Sequence, residues 1–74
     1  MLTSDEYFEL GKQKRALKDY RGAIADYDQA IRIKPDFEAA FCDRGCAKHE
    51  LKDYREAIAD YDQAIRIKPD FEAA

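Results

Sequence analysis

Long apolar runs are missing from this chain. No stretch of its 74 residues approaches the roughly 18 apolar residues of a membrane-spanning helix, and the opening MLTSDEYFEL lacks the cationic start and apolar run of a secretory leader. These absences predict a cytoplasmic protein with no membrane partner. Positive excess is missing too: 13 Lys and Arg against 16 Asp and Glu give a formal net charge of −3, which argues against nucleic acid as a partner. Cysteine is scarce. Cys42 and Cys46 are too few for a disulfide framework and too close within a helical pattern to be bridged without unwinding it, so they are read as reduced thiols. The three glycines form no phosphate-binding loop, and His49 has no serine nucleophile or orienting carboxylate in a recognisable motif. The Asp and Glu residues fall on helix surfaces and at caps, where solvation and capping account for them. The chain is therefore expected to be no enzyme and to need no cofactor.

What is there is repetition. The segment DYRGAIADYDQAIRIKPDFEAA, Asp19 to Ala40, returns as DYREAIADYDQAIRIKPDFEAA, Asp53 to Ala74, with Gly22 against Glu56 as the one difference among 22 residues. The offset is 34 residues, a fixed period of the kind that marks stacked helical units. In the second copy Tyr54, Ala57, Ile58, Tyr61, Ala64 and Ile65 fall at steps of three and four, one stripe of an α-helix, and Tyr20, Ala23, Ile24, Tyr27, Ala30 and Ile31 repeat it in the first. Asp19 and Asp53 are N-cap residues by type, while Pro35 and Pro69 stop each helix by disfavouring helical backbone before them. Asp53 with Glu56 predicts a capping box that Gly22 denies the first copy, so the later helix is expected to start more firmly. Two further helices are predicted, from about Ser4 to Leu17, capped by Thr3 with Glu6, and from about Phe37 to Leu51, capped by Asp36. The turns at Lys18-Asp19 and Lys52-Asp53 are short, so neighbours run antiparallel. The fold class is all-α, two antiparallel helix hairpins in one domain of residues 1–74.

These residues resemble the tetratricopeptide repeat, whose 34-residue unit reads W-x₂-L-G-x₂-Y, then A-x₃-F, then A and P. Tyr7, Leu10, Gly11, Ala23, Tyr27, Ala30 and Pro35 occupy the pattern in a first unit of about residues 4–37. Phe41, Gly45, Ala57, Tyr61, Ala64 and Pro69 occupy it in a second, about 38–71, with a stub of a third at 72–74. The departures are Lys14 and Lys48 in place of Tyr, Arg44 in place of Leu, and Tyr or Phe in place of Trp; they lower the apolar content of each unit's first helix. Gly11 and Gly45, with Ala23 and Ala57, would let the helices of a hairpin approach closely.

The resemblance implies a short right-handed solenoid and a non-enzymatic scaffold that binds a protein or peptide on its concave face. By that resemblance the groove presents Asp5, Phe8, Lys12, Arg15 and Ala16 from the first unit and Ala39, Cys42, Cys46, His49 and Glu50 from the second. Each set is also one helical stripe by spacing, and a merely solvated face is the alternative. The family's carboxylate clamp is not carried over, because Phe8 and Asp43 stand where Lys and Asn are expected. A second reading of Cys42, Cys46 and His49 is a zinc, copper or redox site, since two thiols and an imidazole share one face; a packing role for the cysteines stands against it.

The closing DFEAA copies Asp36 to Ala40, so the sequence begins a third unit and ends within its first turn. Stacked repeats bury each unit's apolar face on the next. The chain is thus expected to be an excerpt of a longer array, or to be a self-associating structural element, a homo-oligomer formed through the stripe of Tyr54, Ile58, Tyr61 and Ile65.

Overall fold

The computed structural model describes residues 2–69, so the expected stub at 72–74 lies outside the described residues. Four helices follow one another, α1 (Ser4–Ala16), α2 (Tyr20–Ile33), α3 (Glu38–Glu50) and α4 (Tyr54–Ile67). No strand occurs among the described residues. Each packs on its chain neighbours, α1 on α2, α2 on α3 and α3 on α4, with a light touch of α1 on α3. This is the all-α stack of two hairpins that the period of 34 residues implies.

The two hairpin turns share a device that their sequence hides. Lys18 and Lys52 both take a left-handed backbone, φ 66°, although neither is Gly or Asn. The N–H of Asp19 donates to the carbonyl of Lys14 at 2.8 Å and that of Lys18 to Arg15 at 2.9 Å, and Asp53 and Lys52 repeat these bonds to Lys48 and His49, both at 2.9 Å. Such paired bonds close a helix C-terminus and satisfy its last carbonyls. They also deliver Asp19 and Asp53 directly to the N-cap positions of the next helices.

The caps differ from expectation in an instructive way. Thr3 and Glu6 form the predicted capping box, with the Glu6 N–H on Thr3 Oγ1 at 3.1 Å and the Thr3 N–H on Glu6 Oε1 at 2.8 Å. Asp19 Oδ1 accepts the Gly22 N–H at 3.0 Å. Asp53, however, makes no side-chain cap bond, and the capping box expected with Glu56 is absent. A Cβ at position 22 would meet the Asp19 carboxylate, 2.8 Å from its Cγ; Glu56 carries that Cβ, and its own carboxylate turns instead to Lys48 Nζ at 3.5 Å. It is therefore the first copy whose helix is capped. Phe37 rather than Asp36 is the N-cap of α3, again without a side-chain bond. Asp19→Ala is expected to cost about 1 kcal/mol and Asp53→Ala next to nothing, as urea denaturation followed by circular dichroism would measure. Equal losses would show that Asp53 caps in solution.

The core is built from small residues. Six alanines, Ala23, Ala30, Ala40, Ala47, Ala57 and Ala64, are buried with Tyr27 and Phe37. Backbones consequently approach closely, and Gly11 and Gly45 take the tightest places. A Cβ on Gly11 would lie 2.7 Å from Cδ1 of the Tyr27 ring, and one on Gly45 would lie 2.8 Å from Cε1 of Tyr61 and 3.2 Å from the Ala57 carbonyl.

Burial also splits the stripes read from the sequence. On α2, Ala23, Tyr27 and Ala30 are buried and Tyr20, Ile24 and Ile31 half-buried, because α3 lies over them. On α4, Ala57 and Ala64 are buried with Asp60, while Ile58 and Ile65 remain 58% and 40% exposed. The same residues meet a neighbour in one copy and solvent in the other.

Candidate functional site

The inner stripes of α1 and α3 stand side by side, joined by Arg15 Nη2 and Asp43 Oδ2 at 3.9 Å. Between the hairpins opens a cleft of about 550 Å³ lined by Arg15, Ala16 and Lys18 on one side, Cys46, His49 and Glu50 on the other, with Tyr20 and Tyr61. Five expected groove residues thus line one cavity: Arg15, Ala16, Cys46, His49 and Glu50.

The other expected residues have different surroundings. Phe8 is half-buried, its ring 4.9 Å from Phe37 and 5.9 Å from Tyr27 between centroids. Ala39 packs against the same core. Lys12 sits over the Phe8 ring at 5.2 Å and pairs with Glu9 at 3.5 Å. Cys42 is exposed beside the groove. Asp5 faces away, lining a separate shallow cleft on α1 with Leu2, Glu6, Glu9, Leu10 and Gln13.

Cys46 and His49, two of the candidate metal ligands, each have an aromatic neighbour. The Tyr61 hydroxyl donates to Cys46 Sγ at 3.5 Å, and His49 meets the Tyr54 ring edge-on at 5.1 Å. Among the described residues no group of three or more His, Cys, Asp or Glu could hold a metal ion. Reactivity is damped as well. Burial pushes the Cys42 thiol up, with Cys46, Asp43 and Glu38 adding to the effect; at neutral pH it stays protonated and is a poor nucleophile. Burial raises Tyr61 to about 12, helped by its bond to Cys46, and Tyr27 to about 12, helped by Asp43. The cleft therefore sets the Tyr61 hydroxyl beside the side chains of Arg15 and Lys18.

Behind the groove lies a charge network that the sequence reading missed. Asp60, expected on a surface, is 4% exposed. It takes Arg44 in a two-pronged bond, Nε to Oδ2 at 2.9 Å and Nη2 to Oδ1 at 2.7 Å, and Lys48 at 3.1 Å. Arg44 also reaches Asp28 on α2 at 2.7 Å, so one guanidinium ties both hairpins. Burial works against its charge, yet Asp60 and Asp28 outweigh that and raise its pKa. Lys14 meets Asp26 at 2.9 Å in the first unit as Lys48 meets Asp60 in the second. The departures from the repeat pattern at Lys14, Arg44 and Lys48 are thus paired with carboxylates in the joints. The available signal was that Lys14 and Asp26 recur, one period later, as Lys48 and Asp60.

Comparison with known proteins places the chain. The family model described as "Tetratricopeptide repeat" matches residues 38–71, and the one described as "TPR repeat" matches residues 11–52, more than half of the chain. The chain belongs to the tetratricopeptide-repeat family. Among solved structures it is similar to one titled "Crystal structure of MamA", with a TM-score of 0.92 and 25% sequence identity over 93% of this chain and 40% of that one. The chain therefore spans less than half the length of that protein. No curated protein matches it. Repeats of this family are in general protein-interaction modules without catalytic activity.

Proposed function

We propose that this module binds a peptide or protein segment, acidic or amphipathic in character, along the face formed by α1 and α3. The observation that carries this reading is the cleft between the hairpins, where Arg15 and Lys18 stand with Tyr20, Cys46 and His49 around about 550 Å³ of open space. Arg15 holds Asp43 only at 3.9 Å, so its guanidinium is free to exchange that contact for a closer carboxylate of the partner. The half-buried Phe8, Ala39 and Cys46 give the face an apolar floor, and Lys12 stands over Phe8. Such a surface suits a chain that lays down side chains of both kinds.

A panel of acidic and amphipathic peptides, screened by amide chemical shifts, tests the proposal. Peptides that bind are expected to shift Arg15, Cys46 and His49. The double charge reversal Lys12→Glu with Arg15→Glu is expected to slow association and weaken binding about tenfold or more, with helicity unchanged. Reversal of Arg21 and Arg32, exposed on α2, is the control. Loss of binding on changing Arg21 and Arg32, with none on changing Lys12 and Arg15, would remove the concave-face proposal.

A second reading, self-association, rests on a specific contrast. Ile24 and Ile31 are half-buried under α3, while Ile58 and Ile65, with the same neighbours in sequence, are exposed along with Tyr54. Contiguous apolar surface of this kind marks a contact, and another copy of the chain is a partner always present at its own concentration.

A further inference from the structure

We propose that the hydroxyl of Tyr27 is a hydrogen-bond donor kept for a side-chain carboxylate of the bound segment, gripped together with the guanidinium of Arg15. The inference rests on the reading of the cleft as a peptide-binding face and names the acidic group that the cleft selects.

Tyr27 is wholly buried, and among the described residues its hydroxyl has no hydrogen-bond partner. Buried polar groups are nearly always satisfied, so an orphan of this kind calls for a cause. The equivalent group one period later is satisfied: the Tyr61 hydroxyl donates to Cys46 Sγ at 3.5 Å. One period before Cys46 stands Lys12, whose ammonium has donors and no acceptor. It lies over the Phe8 ring and on Glu9 instead. The first hairpin thus carries the same buried hydroxyl with its acceptor taken away.

The orphan stands behind the wall of the cleft. Arg15, Asp43 and Cys46 are close enough to act on its charge, and Arg15 and Cys46 line the cleft. Arg15 is loosely held, its side chain 35% exposed and its contact with Asp43 as long as 3.9 Å. When Arg15 turns to a carboxylate in the cleft, Asp43 keeps Lys12 near it, and the hydroxyl behind is opened to the same carboxylate. The two oxygens of one carboxylate accept from both donors at once. With its pKa at about 12, the hydroxyl holds its proton at neutral pH and can donate it. A side-chain amide offers one acceptor oxygen and sets N–H groups against the guanidinium, so Glu or Asp is selected over Gln or Asn.

Two short peptides blocked at both ends, identical but for one central Glu or Gln among leucines and alanines, test this by titration into the full chain and into Tyr27→Phe. Affinity is read from amide chemical shifts. The wild type is expected to prefer the Glu peptide by about tenfold or more, and Tyr27→Phe to bind it about tenfold less tightly, with a smaller loss for the Gln peptide. The Cζ resonance of Tyr27 is expected to move when the Glu peptide binds, which a purely structural hydroxyl would not show. Equal losses for the two peptides would mean that the hydroxyl shapes the cleft without donating to the carboxylate, and the inference fails. A lower melting temperature for free Tyr27→Phe would mean that the hydroxyl is already satisfied without a partner, and the inference fails likewise. If Tyr27→Phe binds the Glu peptide as the wild type does, with Arg15, Cys46 and His49 shifting, the inference fails and the reading of the cleft stands. If the Glu peptide at millimolar concentration shifts no cleft residue of the wild type, both fail.

Discussion

Tyr27→Ala is expected to leave the chain largely unfolded, while Tyr61→Ala, the same change one period later, leaves it folded with a modest loss. Among the described residues Tyr27 is the largest side chain that is fully buried. Its ring fills the space that Gly11 vacates and stands beside Phe8. Removing a buried ring of this size costs about 3–5 kcal/mol, against a total of roughly 4–11 kcal/mol for a chain of this length. Tyr61 is only half-buried, since among the described residues no helix covers the side of α4 that α3 leaves open, so less contact is lost there. The hydroxyl of Tyr27 is buried without a hydrogen-bond partner, and Tyr27→Phe is therefore expected to be neutral or slightly stabilising. Thermal and urea denaturation of the three variants would check the order; equal losses for Tyr27→Ala and Tyr61→Ala would mean that the α4 face is covered in solution.

Asp60→Ala is expected to destabilise by about 3 kcal/mol, the lower end of the cost of stranding a buried charge. The substitution leaves Arg44 and Lys48 in the joint, their side chains 17% and 15% exposed, and each retains a secondary partner, Asp28 and Glu56. The double variant Arg44→Met with Asp60→Leu is expected to recover most of that loss, because buried ion pairs replaced together by apolar groups of similar size are often neutral. Urea denaturation of the single and double variants measures the coupling. Losses that simply add would show that the two side chains do not act on each other.

Much of the fold was legible because it repeats. One period located the helices to within a residue or so, since Pro35 and Pro69 end α2 and α4 and the Asp-Tyr steps begin them. The turns were legible in place and not in kind, because Lys18 and Lys52 adopt a conformation that their side chains do not advertise. The caps at Asp19 and Asp53 exchanged roles for a steric reason, a Cβ at position 56 that position 22 lacks. Of the cleft, Arg15, Cys46 and His49 were expected from the family resemblance, with which helical spacing agrees. Lys18, Tyr20 and Tyr61 were not, because they enter the cleft from a turn and from the second helices of the hairpins. Asp60 escaped notice because an acidic residue looks solvated until its two cations arrive from another helix.

Because every helix rests mainly on its neighbours in the chain, the molecule is a line of nearest-neighbour couplings with one central link. Folding of such a line depends little on closing long loops, and rates for chains with so local a contact pattern are high. Each hairpin alone is too small to hold a stable core, so the two must form or melt together for as long as the link holds. Arg44, gripping Asp28 before the link and Asp60 after it, reinforces that link beside the buried Ala30, Phe37 and Ala40.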